Sequence, residues 1–271
     1  MKKLLIFGLG YTANRLAARL APLGWEIIGT GQSARPGVLA LEDPALPAHI
    51  ASASHILSSV PPDRNQGHDP VLAHYAAALA RTPAWVGYLS STGVYGDCQG
   101  AWVDESAPTG GGRRDARTAA DAAWQALRPD VRIFRLPGIY GPGRSAISRV
   151  MAGERQRIDA PGHVFSRIHV DDIVQVLIAA MASPATGIFN VADGQPAAGA
   201  VVTGYACDLL GVARAPLTPL AEARLSPMAR AFYSECRRVA ARRLARDLNI
   251  RLLYPDYRAG LRACHAEETK K

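Results

Sequence analysis

The 271-residue sequence has only four cysteines, Cys98, Cys207, Cys236 and Cys264, and no two form a CxxC pair. That scatter argues against a disulfide framework or a zinc site and fits a reducing cytoplasm. No stretch approaches the ~20 consecutive apolar residues that span a bilayer. The apolar run near the start, Leu4 to Phe7, is short and is broken by Gly8 and Gly10, so it does not read as a secretory signal. Aromatic residues are few, and none interleaves with the arginines of CRRVAARRLARDLNIR late in the chain. The net charge of +8 therefore reads as a solvated, arginine-rich helix face, with neither nucleic acid nor membrane as partner. With 48% hydrophobic and 20% charged residues, the chain can bury the core of a globular protein.

What the sequence does have begins at the front. KLLIF, residues 3 to 7, reads as a fully buried strand. Ala13, Leu16, Ala17 and Leu20 recur at helical spacing, and Pro22 and Gly24 mark the helix end. WEIIGT reads as a second strand. This β-α-β unit carries Gly8-x-Gly10-x-x-Ala13 at its first turn. Gly8 permits the tight turn, Gly10 lets a pyrophosphate approach the backbone, and Ala13 lets the helix pack close to the strand. The helix N-terminus, opened by Tyr11 and Thr12, offers free N–H groups and partial positive charge to a phosphate. Gly8, Gly10, Tyr11, Thr12 and Ala13 are thus expected to bind a dinucleotide.

The end of the second strand lacks the Asp or Glu that holds the ribose 2′-hydroxyl of NAD. It reads Thr30-Gly31-Gln32-Ser33-Ala34-Arg35. A carboxylate there would repel a 2′-phosphate, whereas Ser33 and Arg35 can receive one. The expected cofactor is NADP rather than NAD; the alternative for Arg35 is a surface loop residue.

The alternation continues. VLALED and HILSSVPP read as the third and fourth strands, the latter stopped by Pro61 and Pro62. Leu72, Tyr75, Ala76 and Leu79 predict a helix over 70–81. WVGYLSSTGVYGD gives a fifth strand running into a loop, residues 115–128 a helix, and VRIFRLPGIYGPG a sixth strand and turn. This order predicts an α/β fold whose doubly wound parallel sheet is covered on both faces, with the site at the strands' C-terminal ends.

The ordered set GLGYTA, LSSTGVYGD, RLPGIYGPG, IHVDDIVQV and FNVADGQP resembles the extended short-chain dehydrogenase/reductase superfamily of the nucleotide-sugar epimerase/dehydratase type. The resemblance covers nearly the whole chain. It implies a Rossmann domain from residues 1–141 and 167–193, with a smaller substrate-binding part from 142–166 and 194–271. It gives Ser91 the role of polarising the substrate's carbonyl or hydroxyl, with Thr92 beside it. It places Pro137 to Ile139 near the nicotinamide and Ser58, Ser59 and Val60 beside the adenosine half. For Ser58 and Ser59 a plain strand-end hydroxyl pair is the alternative. It also implies a homodimer paired through two Rossmann helices.

Two departures stand out. The family's catalytic Tyr-x-x-x-Lys opens the helix after the fifth strand, often with an acid four positions after the lysine. Here Asp121 fits the acidic position, which puts Arg117 at the lysine and Arg113 at the tyrosine. Arg117 can still hydrogen-bond ribose hydroxyls, but an arginine does not exchange protons near neutrality. The alternative is one exposed helix stripe of Arg113, Arg117 and Asp121. The second departure is Phe165, where many nucleotide-sugar enzymes carry a phosphate-binding Arg four residues before the His of IHV; Arg167 stands two before His169. That argues against a UDP- or dTDP-sugar. Asp171 or Asp172 is expected near the N-cap of the helix that follows.

For the missing proton donor, Tyr140, just after the nicotinamide-side turn, is the leading tyrosine, with packing as its alternative. Tyr11, Tyr95, Asp97 and Glu105 also sit in loops near the site. Two functions follow: an NAD(P)-dependent oxidoreductase or epimerase-like enzyme acting on a small carbonyl or hydroxyl substrate, or a catalytically silent NADP-binding sensor.

Overall fold

The computed structural model describes residues 2–63, 67–112 and 115–269. The chain begins with β1 (Lys3–Phe7), α1 (Tyr11–Leu20), β2 (Glu26–Gly31) and β3 (Val38–Ala40). It continues through α2 (Leu46–Ser52), β4 (His55–Ser58), α3 (Pro70–Arg81) and β5 (Trp85–Ser91). Then come β6 (Trp102–Val103), α4 (Asp115–Leu127), β7 (Arg132–Leu136), β8 (Gly138–Tyr140), α5 (Ala146–Met151), β9 (Arg157–Asp159) and β10 (Arg167–His169). After α6 (Val170–Met181) and β11 (Gly187–Asn190), the C-terminal part contains α7 (Gly199–Leu209), β12 (Leu217–Pro219), α8 (Pro227–Ala231), β13 (Arg238–Val239), α9 (Arg242–Leu248) and α10 (Tyr257–Glu268).

Seven strands form one parallel sheet in the order β11-β7-β5-β4-β1-β2-β3. The alternating apolar residues of its strands are buried on both sides, as a doubly covered sheet requires. On one face Leu4, Ile6, Leu57 and Phe134 pack with Leu16 and Leu20 of α1 and Ile173 and Leu177 of α6. On the other, Leu5, Phe7, Ile56 and Ile133 pack with Ile50 of α2, Val71 and Leu79 of α3, and Trp124 of α4. The chain runs outward from β1 through β2 and β3, then returns to place β4 on the opposite side of β1. This reversal makes the β1–β4 crevice the place where an α/β sheet binds its ligand, at the strands' carboxyl ends.

A third apolar cluster joins α5, α7 and α10 through Ile147, Val150, Val202, Ala206, Leu261 and Cys264. Three short parallel pairs, β8–β10, β9–β12 and β6–β13, tie this later chain to the loops above the sheet. The expected helix over 70–81 and the six expected strands are present. The short helix α2, in a segment rich in proline and alanine, and the seventh sheet strand β11 have no counterpart among the sequence-based elements. Among the described residues no helix is long and apolar enough to cross a membrane, and the four cysteines are free.

Candidate active site

The glycine turn is braced by the strands around it. Gly8 has φ +84°, and its N–H donates to Thr30 Oγ1 at 3.1 Å. Ser59 Oγ donates to the Gly8 carbonyl at 2.6 Å. A Cβ on Gly8 would lie 3.0 Å from Val60 Cγ2, so a side chain is excluded here by both conformation and space. Gly10 differs: a Cβ there would meet nothing within 4 Å. No side chain caps α1, so its first N–H groups have no side-chain acceptor among the described residues. A phosphate fits this arrangement, since its oxygens would satisfy those donors and meet the positive end of the helix. Ala13 is fully buried and sets the close packing of α1 on the sheet.

From this turn a cleft of about 870 Å³ runs along the carboxyl edge of the sheet. Gly10, Tyr11, Thr12, Ser59, Ser91, Arg117, Pro137, Ile139 and Tyr140 all line it. Gly8, Ala13 and Val60 shape the turn from behind. Ser33 and Arg35 are exposed in the β2–β3 loop and are not part of the cleft wall. Ser58 is corrected: it is fully buried on the same sheet face as Ile56, and its hydroxyl has no partner. Strand parity turns it into the core, so Ser59 alone of the pair reaches the cleft.

Tyr140 is also corrected. Its ring stands edge-on to His169, 5.2 Å between centroids, and its hydroxyl donates to the Asp256 carbonyl. A Cβ on Gly260 would collide with that hydroxyl, which shows how closely α10 covers it. Burial raises its pKa far above the usual phenol range, so Tyr140 packs rather than exchanging protons. The other loop candidates are held in a similar way. Tyr11 donates to the Pro142 carbonyl at 3.0 Å, and burial pushes its pKa up to about 12. Tyr95 donates to Asn190 Oδ1 at 2.7 Å. Asp97 accepts from the Cys236 and Gln99 N–H groups, which lower its pKa, and Glu105 accepts from Asn190 N. The N-cap of α6 is His169, whose Nδ1 accepts from Asp171 N at 3.2 Å. Asp172 instead accepts from the Leu253 and Tyr254 N–H groups, anchoring the C-terminal segment.

No family model matches the chain. A solved structure described as a functionally unknown conserved protein from Silicibacter pomeroyi is 45% identical, with TM-score 0.89 over 98% of this chain and 99% of that one. A putative NAD-dependent epimerase/dehydratase from Methylobacillus flagellatus is 25% identical, with TM-score 0.74 over 100% and 99%. The chain therefore has the fold of NAD-dependent epimerase/dehydratase proteins. The human epimerase family protein SDR39U1, solved with NADPH, shares the fold at 17% identity, with TM-score 0.76 over 97% and 99%.

Against the pattern that the sequence resembles, the helix after β5 is where this chain departs. Arg117, at the lysine position, lines the cleft; burial raises the pKa values of Asp69 and Tyr88, and the Arg117 charge offsets part of that rise. Arg113, at the tyrosine position, lies outside the described residues. Asp121 does not belong to an exposed stripe: it is 1% exposed and forms a two-point ion pair with Arg135, at 2.7 and 3.1 Å. Ser90 and Gln125 donate to the same carboxylate, and Arg135 also donates to Tyr95 at 3.0 Å.

Several cleft residues escape the sequence reading. Arg144 sits over the Tyr11 ring, 5.6 Å from its centroid. Glu235, 8% exposed, pairs with Arg237 at 3.1 Å, and its Oε1 would lie 3.3 Å from a Cβ on Gly112, just before α4. Arg149 and Tyr233 complete the far wall. These side chains come from separate late segments with no shared motif.

Proposed function

We propose that the protein binds NADP(H) along this cleft and acts in the cytoplasm as an oxidoreductase or epimerase-like enzyme on a small carbonyl or hydroxyl compound. One observation carries the reading: a single cleft joins the uncapped N-terminus of α1 to the Ser91 turn. When bound there, the coenzyme would give or take the hydride. Gly10, Tyr11 and Thr12 would hold its pyrophosphate, and Pro137 and Ile139 its nicotinamide half. Arg117 would hydrogen-bond the ribose, with a permanently charged group that does not exchange protons. Ser33 and Arg35, with no acid beside them, would take the 2′-phosphate. Ser91 Oγ accepts from Gly93 N at 3.1 Å, which leaves its own proton to donate to a substrate oxygen. The segments 142–166 and 194–271 would form the substrate side.

The engaged hydroxyls of Tyr11, Tyr95 and Tyr140 favour a second reading, an NADP-binding sensor without turnover. Calorimetry with NADPH and NADH tests the binding. NADPH is expected to bind more tightly; a preference for NADH defeats the NADP assignment, and no heat from either defeats the whole reading. A carbonyl-substrate screen that follows NADPH absorbance separates enzyme from sensor. Turnover that falls in Ser91→Ala supports the enzyme.

A further inference from the structure

Beyond Ser91 the cleft opens into a compartment that the glycine turn does not touch. Apart from the Glu235–Arg237 pair, its charged groups are Arg149 at the end of α5 and Arg167 on β10. Arg167 Nη1 donates to the Phe165 carbonyl at 2.7 Å and the Ala197 carbonyl at 2.8 Å, so neutral groups hold this guanidinium in place. The acid whose charge Arg167 feels most is Asp193, 6% exposed, with one oxygen lacking any partner. Burial raises Asp193 to about 7, so near neutrality it supplies only part of a negative charge. Burial lowers Arg167 to about 10, which leaves it charged, and Arg149 adds a second cation close enough to lower it further. Arg167, partly withdrawn from water with its hydrogen bonds going to neutral carbonyls, is costly unless a ligand supplies an anion, and the exposed Arg149 beside it adds to the positive charge.

The rest of the wall limits the ligand's body. Phe165 and Tyr233 meet edge to face, 5.5 Å apart, and His163 lies 5.2 Å from Tyr233. Ile158 and Val202 add aliphatic surface. Tyr233 makes no hydrogen bond among the described residues, and a Cβ on Gly199, the first residue of α7, would lie 3.7 Å from its hydroxyl. No side chain caps α7, so its N-terminus adds positive potential at the same place. Aliphatic and aromatic walls offer few hydrogen bonds to a polyhydroxylated sugar but bury an apolar body well.

We propose that this compartment binds the anionic headgroup of the substrate, a carboxylate or a phosphate monoester on an aromatic or apolar body. Arg149 and Arg167 supply the charge and Tyr233 a hydroxyl donor. The proposal rests on the nicotinamide reading of the cleft and names the substrate class that goes with it.

The test is calorimetric titration of the NADPH-loaded protein with benzoate, phenyl phosphate and the neutral isostere benzamide. One or both anions are expected to bind and benzamide not to; which anion binds distinguishes the carboxylate from the phosphate source. Added potassium chloride is expected to weaken the binding. Arg149→Gln is expected to weaken it roughly tenfold or more, the effect of losing a charged hydrogen bond, and Arg149→Lys to recover part of the loss. An NADPH titration of each variant shows that it is folded. Benzamide binding as well as benzoate, neither anion binding to the NADPH-loaded protein, or anion affinity unchanged in Arg149→Gln would overturn the proposal. Arg149-dependent anion binding in a protein that does not bind NADPH would instead sink the nicotinamide reading and leave this site standing.

Discussion

Replacing Asp121 with Leu should be among the most damaging single changes in the protein. The Asp121 carboxylate and the Arg135 guanidinium are 1% and 2% exposed, so water cannot take over for a lost partner. The carboxylate receives two contacts from Arg135, one from Ser90 at 2.5 Å and one from Gln125 at 2.6 Å. Removing it leaves a buried guanidinium without its counter-charge, which costs about 3–5 kcal/mol. For a chain of this size that corresponds to a fall in Tm of roughly 6–20 °C, at about 2–4 °C per kcal/mol. Removing both charges, as in Asp121→Leu with Arg135→Met, should recover much of the loss, because the stranded charge is gone. Recovery would be incomplete, since Ser90, Tyr95 and Gln125 lose acceptors or donors worth about 1 kcal/mol each. Urea unfolding near neutral pH, read by circular dichroism, measures Asp121→Leu, Arg135→Met and the double variant. A single-variant cost under about 1 kcal/mol, or a double variant as unstable as the sum of the singles, would refute the account of this pair.

Other expectations are narrower. Gly10→Val should change folding stability by less than about 0.5 kcal/mol, because its side chain enters open space. The same change should cost at least about 1.4 kcal/mol, or tenfold, in NADPH affinity by calorimetry; unchanged affinity would remove Gly10 from the pyrophosphate site. Arg35→Glu should reduce NADPH affinity by a similar factor and leave NADH affinity unaltered, because only a 2′-phosphate meets the new carboxylate. Burial holds Asp193 at about 7 against 3.8 for a free carboxyl, so its contribution to stability is full below about pH 4 and is lost as pH rises through 7. His169, lowered to about 4 from 6.5, acts in the opposite sense, its contribution being lost as pH falls through that range. Asp193→Asn should therefore gain stability relative to the parent between about pH 5 and about pH 8 in denaturant unfolding; parallel curves would contradict the sign.

The front of the site was readable because it is local. Strand, glycine turn and helix follow one another within twenty residues, and each glycine's task depends on neighbours in sequence or on the adjacent strand. The same locality explains why the helix over 70–81 was legible. Ser58 and Ser59 needed more, since strand parity separates two adjacent hydroxyls, one sharing the face of buried Ile56 and one reaching the cleft. Asp121 was misleading for a different reason. Its spacing from Arg117 suits an exposed stripe, and only Arg135, fourteen residues on and on strand β7, reveals that it is buried. The far wall was the least legible part. Arg149, Arg167 and Tyr233 come from α5, β10 and the turn after α8, and only Arg167, two before His169, has a place in a sequence motif. Burial and convergence, which decide their chemistry, exist only once the chain has folded.

The division between an early sheet and a late wall bears on biogenesis. All seven strands of the sheet are made by Asn190, whereas α7, Tyr233 and the Glu235–Arg237 pair emerge from the ribosome afterwards. The nascent chain can thus form its phosphate-gripping edge while the opposite side of the groove is still being translated.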